Sequence, residues 1–214
     1  MKWYPLLTAS LLFFILSCRA KPGKAPVPDP EKMKANYLLI RGLSDSALSG
    51  DLIFRNGMDE VSRAARSFNR KDTSYSHCGL LMREGDSLFV YHALGGSYNP
   101  SQRLMRQPLD SFCNPTENNS VAVYRYTLST DQLSQLKKTV TGYYKAGLPF
   151  DLYFNYQSDD KMYCAEFVFK SLNRALDNSL SAYVRMDTIP FGVTTDDLFL
   201  HPSSRLVKKE KFIY

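Results

Sequence analysis

The sequence predicts an α+β domain, and three observations carry that expectation. Short apolar runs bounded by turn residues cluster in mid-chain, as strands do. Two segments of helical periodicity, 129–147 and 162–176, follow most of them. Hydrophobic residues make up 44% of the 214, with 14 Tyr and 13 Phe among them, so a packed core can form and global disorder is excluded. Strands grouped together with helices beside them point to a mixed rather than an alternating architecture.

In chain order, "NYLLIRG" (36–42) reads as a short strand or a helix end. "SGDLIFRNG" (49–57) reads as a turn and a strand. "MDEVSRAARSF" sets Met58, Val61, Ala65 and Phe68 at helical spacing between charges. "SHCGLLM" (76–82) and "SLFVYHA" (87–93) are two strands around the turn residues "REGD", hence a hairpin. "GGSYNPSQ" is loop, "PLDSF" a helical turn, and "SVAVYRY" (120–126) alternates as a strand. Ser129 or Thr130 caps the helix that Gly147 ends, with Leu133, Leu136 and Val140 on one face. Phe167 and Val168 dock the second helix on the sheet, and "SRLVKKEKFIY" closes the chain as a last strand. The chain shows no internal repeat.

The net charge of +6 is concentrated at the ends. Residues 19–35 hold five basic and two acidic residues, residues 205–214 four basic and one acidic, and Lys2 adds one more, which leaves the body at −1. A near-neutral body implies no nucleic-acid groove. The first 18 residues combine Lys2, an apolar run from Leu6 to Leu16 that is too short to span a membrane, and the ending "ILSC". This reads as an export signal, and "ILSC" resembles a bacterial lipobox with Cys18 as the lipidated residue. An ordinary signal peptide cleaved nearby is the rival. Residues 19–35, rich in Pro and Lys, read as a tether holding the domain (36–214) off a membrane. With Cys18 used, Cys78, Cys113 and Cys164 remain, so at most one disulfide forms and one thiol is left over.

A nucleophilic cysteine needs a lowered pKa, a base and donors for the oxyanion. Cys164 stands near a helix N-terminus, whose free N–H groups favour a thiolate and can hold an oxyanion. Tyr163 precedes it. Of the three histidines, His201 sits in a loop before a proline and is set aside. His77 opens one hairpin strand and His92 closes the next, so a suitable register makes the imidazoles neighbours on one face. One would then be the base and the other would orient it. Strand alternation sends Cys78 to the opposite face as an inert core thiol. The rivals are a core or disulfide-bonded Cys164, two structural histidines, and a zinc site built from the three residues, for which the sequence offers no compact ligand spacing. Asp151 and "QSDD" (157–160) read as a solvated loop, and the Tyr/Phe-rich stretch 143–156 as core or as a substrate cleft.

The motifs "GDLIF" (50–54), "SHCGLL" (76–81), "VYHA" (90–93), "PFDLYF" (149–154) and "YCAEFVF" (163–169), in this order, resemble the circularly permuted, papain-like NlpC-type cysteine hydrolases of the YiiX/YebB-like family. The ordinary arrangement has the cysteine helix first; here it comes last. The resemblance spans roughly residues 36–205. It implies an antiparallel sheet or small barrel with a catalytic helix packed against it. It implies Cys164 as nucleophile, His77 as general base, His92 as the polar residue that orients it, and Tyr163 at the oxyanion or substrate. It gives Glu166 a supporting contact with nearby backbone and Asp51 a structural place in the turn before its strand. Cys78 stands where valine is usual. No metal and no organic cofactor is implied.

Three functions are compatible with these residues. The first is an exported, lipid-anchored, monomeric cysteine peptidase or amidase of the cell envelope that acts on cell-wall peptides through an acyl-enzyme. The second is an acyltransferase or a lipid or thioester hydrolase on the same fold, which an apolar slot beside Cys164 would favour. The third is an inactive binding module, which a disulfide at Cys164 would favour.

Overall fold

A computed structural model describes residues 28–184 and 192–214. The export signal, Cys18 and most of the tether lie outside the described residues.

The elements in order are α1 (Pro30–Ser46), β1 (Leu52–Gly57), α2 (Glu60–Ser67), β2 (His77–Glu84), β3 (Ser87–His92), β4 (Met105–Pro108), α3 (Leu109–Phe112), β5 (Asn118–Tyr126), α4 (Thr130–Ala146), α5 (Cys164–Ala175), α6 (Thr195–Phe199) and β6 (Ser204–Lys211). The six strands form one open antiparallel sheet in the order β4-β3-β2-β1-β5-β6. It is a sheet and not a closed barrel.

The central strands are apolar at consecutive positions because the sheet is covered on both faces. Leu52, Phe54, Cys78, Leu80 and Ala122 pack with Leu136, Val140, Phe167, Val168 and Leu172 of α4 and α5. Ile53, Leu81, Val90, Val121 and Val123 pack with Ile40 and Leu43 of α1 and Phe112 of α3. Burying each of these large side chains contributes about 1.5–3 kcal/mol, so α5 is held firmly by its apolar face.

Helix α1 starts at Pro30 behind the Asp29 cap, whose carboxylate accepts the Glu31 N–H at 3.0 Å. Residues 30–35, expected as the end of the tether, are therefore helical, and 36–42 is helix interior rather than strand. Asn36 explains the fixture: its side chain donates to Ile213 O and accepts from Ile213 N–H, both at 2.9 Å. The apolar residues of α2 do not form a core stripe; Met58, Val61 and Phe68 are exposed and no residue of that helix is buried. α4 has a full capping box between Ser129 and Gln132 and ends at Gly147, whose φ of 65° is in the left-handed region that glycine adopts without strain. β4 and α6 have no counterpart in the sequence reading.

Asp51 closes the turn into β1. Its buried carboxylate takes Arg125 Nε and Nη2, both at 2.6 Å, and accepts the Leu48 N–H at 2.8 Å. Asp151 corrects the expectation of a solvated loop. It is fully buried, accepts the N–H groups of Tyr153 and Asn155, and stands 3.6 Å from Lys161 Nζ. The carboxylate can be buried there because the folded loop supplies its donors. Asp159 of the "QSDD" run is exposed as expected, and pairs with Lys170 at 2.7 Å.

Candidate active site

The hairpin places two histidines together. β2 and β3 pair with Leu80 opposite Tyr91 and Leu81 opposite Val90. Extended by one residue, this register puts Gly79 opposite His92 and makes His77 the diagonal neighbour of His92 on the same face. His77 Nε2 lies 2.8 Å from His92 Nδ1. A side chain at residue 79 would not fit, since a Cβ there would sit 2.6 Å from Val90 Cγ1, 2.8 Å from Tyr91 O and 3.1 Å from His92 Cβ. Both imidazoles are buried and rest on the Phe112 ring, at centroid distances of 5.8 and 5.1 Å.

A third partner comes from β4. His92 Nε2 lies 3.0 Å from Gln107 Oε1. β3 and β4 pair with Val90 opposite Gln107 and His92 opposite Met105, so Gln107 reaches His92 diagonally on that face. The chain of bonds fixes the tautomers. A carbonyl oxygen only accepts, so His92 carries its proton on Nε2 and presents Nδ1 as an acceptor. His77 must then donate from Nε2, which leaves its Nδ1 as a basic lone pair. Burial holds both rings below the ordinary histidine pKa, His77 well below and His92 at about 3, and Arg55 nearby adds to the effect in each. The pair is therefore neutral at neutral pH, as a general base requires.

Cys164 is the first residue of α5, behind Tyr163 as N-cap. The neighbouring Cys78 thiol is the largest influence on Cys164, and with the N–H groups of Ala165, Cys78 and Cys164 it outweighs burial and lowers the Cys164 pKa. Burial raises the Cys78 thiol well above the usual range, so Cys78 is the donor and Cys164 the thiolate side of the contact. All three described cysteines are free. Alternation does put Cys78 and His77 on opposite faces: Cys78 joins the core under α5, while His77 packs on α3. Cys78 is thus a buried core thiol as expected, and it also neighbours Cys164. Among the described residues no hydrogen bond joins Cys164 to His77, whose Nε2 faces His92.

The remaining sequence-selected residues support α5. The buried Tyr163 hydroxyl donates to Val193 O at 2.9 Å and accepts the Val193 N–H at 3.2 Å, which ties the segment before α6 over the helix start. Glu166 is fully buried, accepts the Tyr163 N–H at 3.2 Å and pairs with Lys170 Nζ at 2.8 Å. Burial outweighs the lysine and raises its pKa to about 7. Lys170 also donates to Tyr156 O and Ser158 O, each at 2.7 Å. His201 lies apart, its Nδ1 accepting the Ser203 N–H.

A cleft of about 420 Å³ opens beside the histidine relay, with Arg55, Tyr37, Tyr98, Gln107, Asp110 and Glu117 in its lining. Arg55 and Gln107 were not singled out from sequence. Gln107 lies on a strand of four residues with no alternation, and Arg55 reads as an ordinary polar position at the end of β1.

Comparison with known proteins places the chain in a family. Residues 46–203 match the model of a family described as permuted papain-like amidase enzymes, YaeF/YiiX, C92. The uncharacterized protein YiiX of Escherichia coli K12 is 31% identical over 130 residues, 60% of this chain and 58% of that protein, so the match spans little over half of the relative's length. A crystal structure of YiiX from Escherichia coli O157:H7, titled a metalloprotein, superposes with a TM-score of 0.59 at 25% identity, covering 78% of this chain and 99% of that one. A metal does not fit the residues of this site. Three of the four ring nitrogens of His77 and His92 are occupied by each other and Gln107, and no group of three or more His, Cys, Asp or Glu among the described residues is placed to hold an ion. The fold is mixed α and β around an antiparallel sheet, the cysteine helix follows the histidine strands, and the family match covers more than half of the sequence: the chain belongs to the permuted papain-like amidase family C92 of YaeF and YiiX, a family of cysteine peptidases and amidases.

Proposed function

We propose that this protein hydrolyses an amide bond in a peptide, with Cys164 as nucleophile, His77 as general base, and His92 and Gln107 as the residues that orient the base. The observation that carries the reading is the relay from Gln107 through His92 to His77, which leaves one basic nitrogen on His77. Cys164 Sγ leaves its contact with Cys78 and gives its proton to His77 Nδ1. Catalytic contacts of this kind often close only around substrate. The thiolate adds to the carbonyl carbon, and the N–H groups at the start of α5 take the developing oxyanion. Collapse expels the amine, which receives the proton from His77. The thioester is then hydrolysed by a water that His77 deprotonates, restoring the thiol.

The polar and charged cleft suits a peptide better than an acyl chain, which separates this reading from lipid or thioester chemistry. The sequence supports an envelope address for a monomer anchored through Cys18, and a cell-wall peptide as substrate. A thiol-directed activity probe tests the nucleophile: labelling should vanish in Cys164→Ala, and labelling that persists there would overturn the assignment. Incubation with muropeptides and, separately, phospholipids tests the substrate class, and turnover of phospholipid alone would reverse it. Radiolabelled fatty acid should enter the wild type and not Cys18→Ala; equal incorporation removes the anchor.

A further inference from the structure

We infer that Arg55 is the anchor for a carboxylate of the peptide substrate, held in the cleft beside the histidine relay. The inference rests on the peptide reading above and names the part of the peptide that the site recognises.

The Arg55 guanidinium has donors to spare. A guanidinium offers five N–H donors. Arg55 uses Nη1 to donate to Phe112 O at 3.0 Å and lays its guanidinium carbon 4.7 Å above the Phe112 ring. No other hydrogen bond and no ion pair of the Arg55 guanidinium is formed among the described residues. Burial is nonetheless its dominant influence and lowers its pKa. Buried arginines are ordinarily matched by a carboxylate, because an uncompensated charge is costly to desolvate. Two other largely buried cations among the described residues have a carboxylate in contact: Arg125 has Asp51 and Lys170 has Glu166. Arg55 has no carboxylate in contact; Glu117 and Asp59 act on it only from a distance, and its guanidinium lines the cleft.

Its position is set by the sheet. β1 and β2 pair with Arg55 directly opposite His77, so the guanidinium and the base share one face. Phe112, against which His77, His92 and Arg55 all pack, fixes the three relative to one another. A planar, two-oxygen anion matches the free edge of the guanidinium. Asp110 and Glu117 in the same cleft repel any anion, but a phosphate, which carries more negative charge, more than a single carboxylate. The nearest source is the main-chain carboxylate at the end of the peptide.

The test uses the full-length Cys164→Ala protein, which binds without turnover. Three N-acetylated alanyl peptides are titrated by calorimetry: one with a free terminal carboxylate, one capped as the amide, and one capped as the amide but bearing a glutamyl side chain. Inorganic phosphate is the fourth probe. The free carboxylate should bind about 10- to 100-fold more tightly than the capped peptide, as a charge-assisted contact provides. Arg55→Met should erase that preference and Arg55→Lys should retain part of it; melting temperatures verify that both variants fold. Tight binding of the glutamyl peptide supports the anchor and assigns the carboxylate to a side chain. Equal binding of capped and free peptides, a preference that survives Arg55→Met, absence of carboxylate binding, or tighter binding of phosphate would each overturn the inference. Probe labelling of Cys164 in Arg55→Met keeps the two readings separable: a labelled cysteine without carboxylate preference refutes the anchor and leaves the hydrolase reading standing.

Discussion

Replacing Gln107 by Leu removes the acceptor that sets both tautomers. In the wild type His92 donates from Nε2 to Gln107 Oε1 at 3.0 Å, and His92 Nδ1 accepts from His77 at 2.8 Å. Without the glutamine oxygen, the His92 Nε2–H is buried and unpaired, which costs about 1–3 kcal/mol. The pair escapes that cost by reversing its protons: His92 donates from Nδ1, and His77 carries its proton on Nδ1, where it cannot accept one from Cys164. With a factor of ten for every ~1.4 kcal/mol, the competent tautomer and the rate fall by roughly 5- to 150-fold. Steady-state hydrolysis of a peptide amide measures this. The loss should lie in kcat, since the tautomer acts on the proton transfer, with any change in KM reported separately because Gln107 also lines the cleft. Gln107→Glu keeps an acceptor oxygen and should recover most of the rate. If Gln107→Leu folds normally and retains kcat within about twofold, the relay does not orient the base, and the tautomer argument fails.

Three further perturbations follow from the same contacts. Cys78→Val removes the thiol that donates to Cys164, so the Cys164 pKa should rise and its alkylation by iodoacetamide at neutral pH should slow severalfold; an unchanged pH profile of alkylation would show that Cys78 does not stabilise the thiolate. Asp51→Asn breaks a buried, two-pronged pair with Arg125 and should cost about 3–5 kcal/mol in chemical denaturation, whereas a loss below about 1 kcal/mol would mean that water solvates Arg125 instead. Glu166 has a folded-state pKa raised to about 7 by burial, so its contribution to stability is fully present below its unfolded pKa and is lost as the pH rises through 7. The full span is on the order of 3 kcal/mol; urea melts at acid and at mildly alkaline pH should show a steeper decline for the wild type than for Glu166→Gln, and parallel curves would refute it.

Local patterns made much of the fold legible. The cap at Ser129, the stop at Gly147 and the hairpin around Gly85 are decided by residues within a few positions of one another, and each stands where the sequence places it. The pairing of His77 with His92 was also legible, because a short hairpin turn fixes the register of its own strands. The apolar spacing of α2 misled because periodicity records an apolar face without recording what covers it; Met58 and Val61 face outward. Asp151 misled for the opposite reason, since its donors are supplied by a loop that exists only once folded.

By itself, then, the sequence determined the α+β class, the order of histidine strands before cysteine helix, and the proximity of His77 to His92, because these depend on local period, caps and motif order. The tertiary structure decided the partners. Gln107 reaches His92 only through the register of β3 on β4, across the irregular connection from Ala93 to Leu104 that no periodicity predicts. Arg55 joins the site only because β1 pairs with β2 at His77 and α3 brings Phe112 beneath both. Cys164 meets Cys78 only when α5 packs on the face of β2 that alternation assigns to residue 78. Contacts of that kind join residues distant in sequence, and their geometry is set by packing that no single stretch of chain contains.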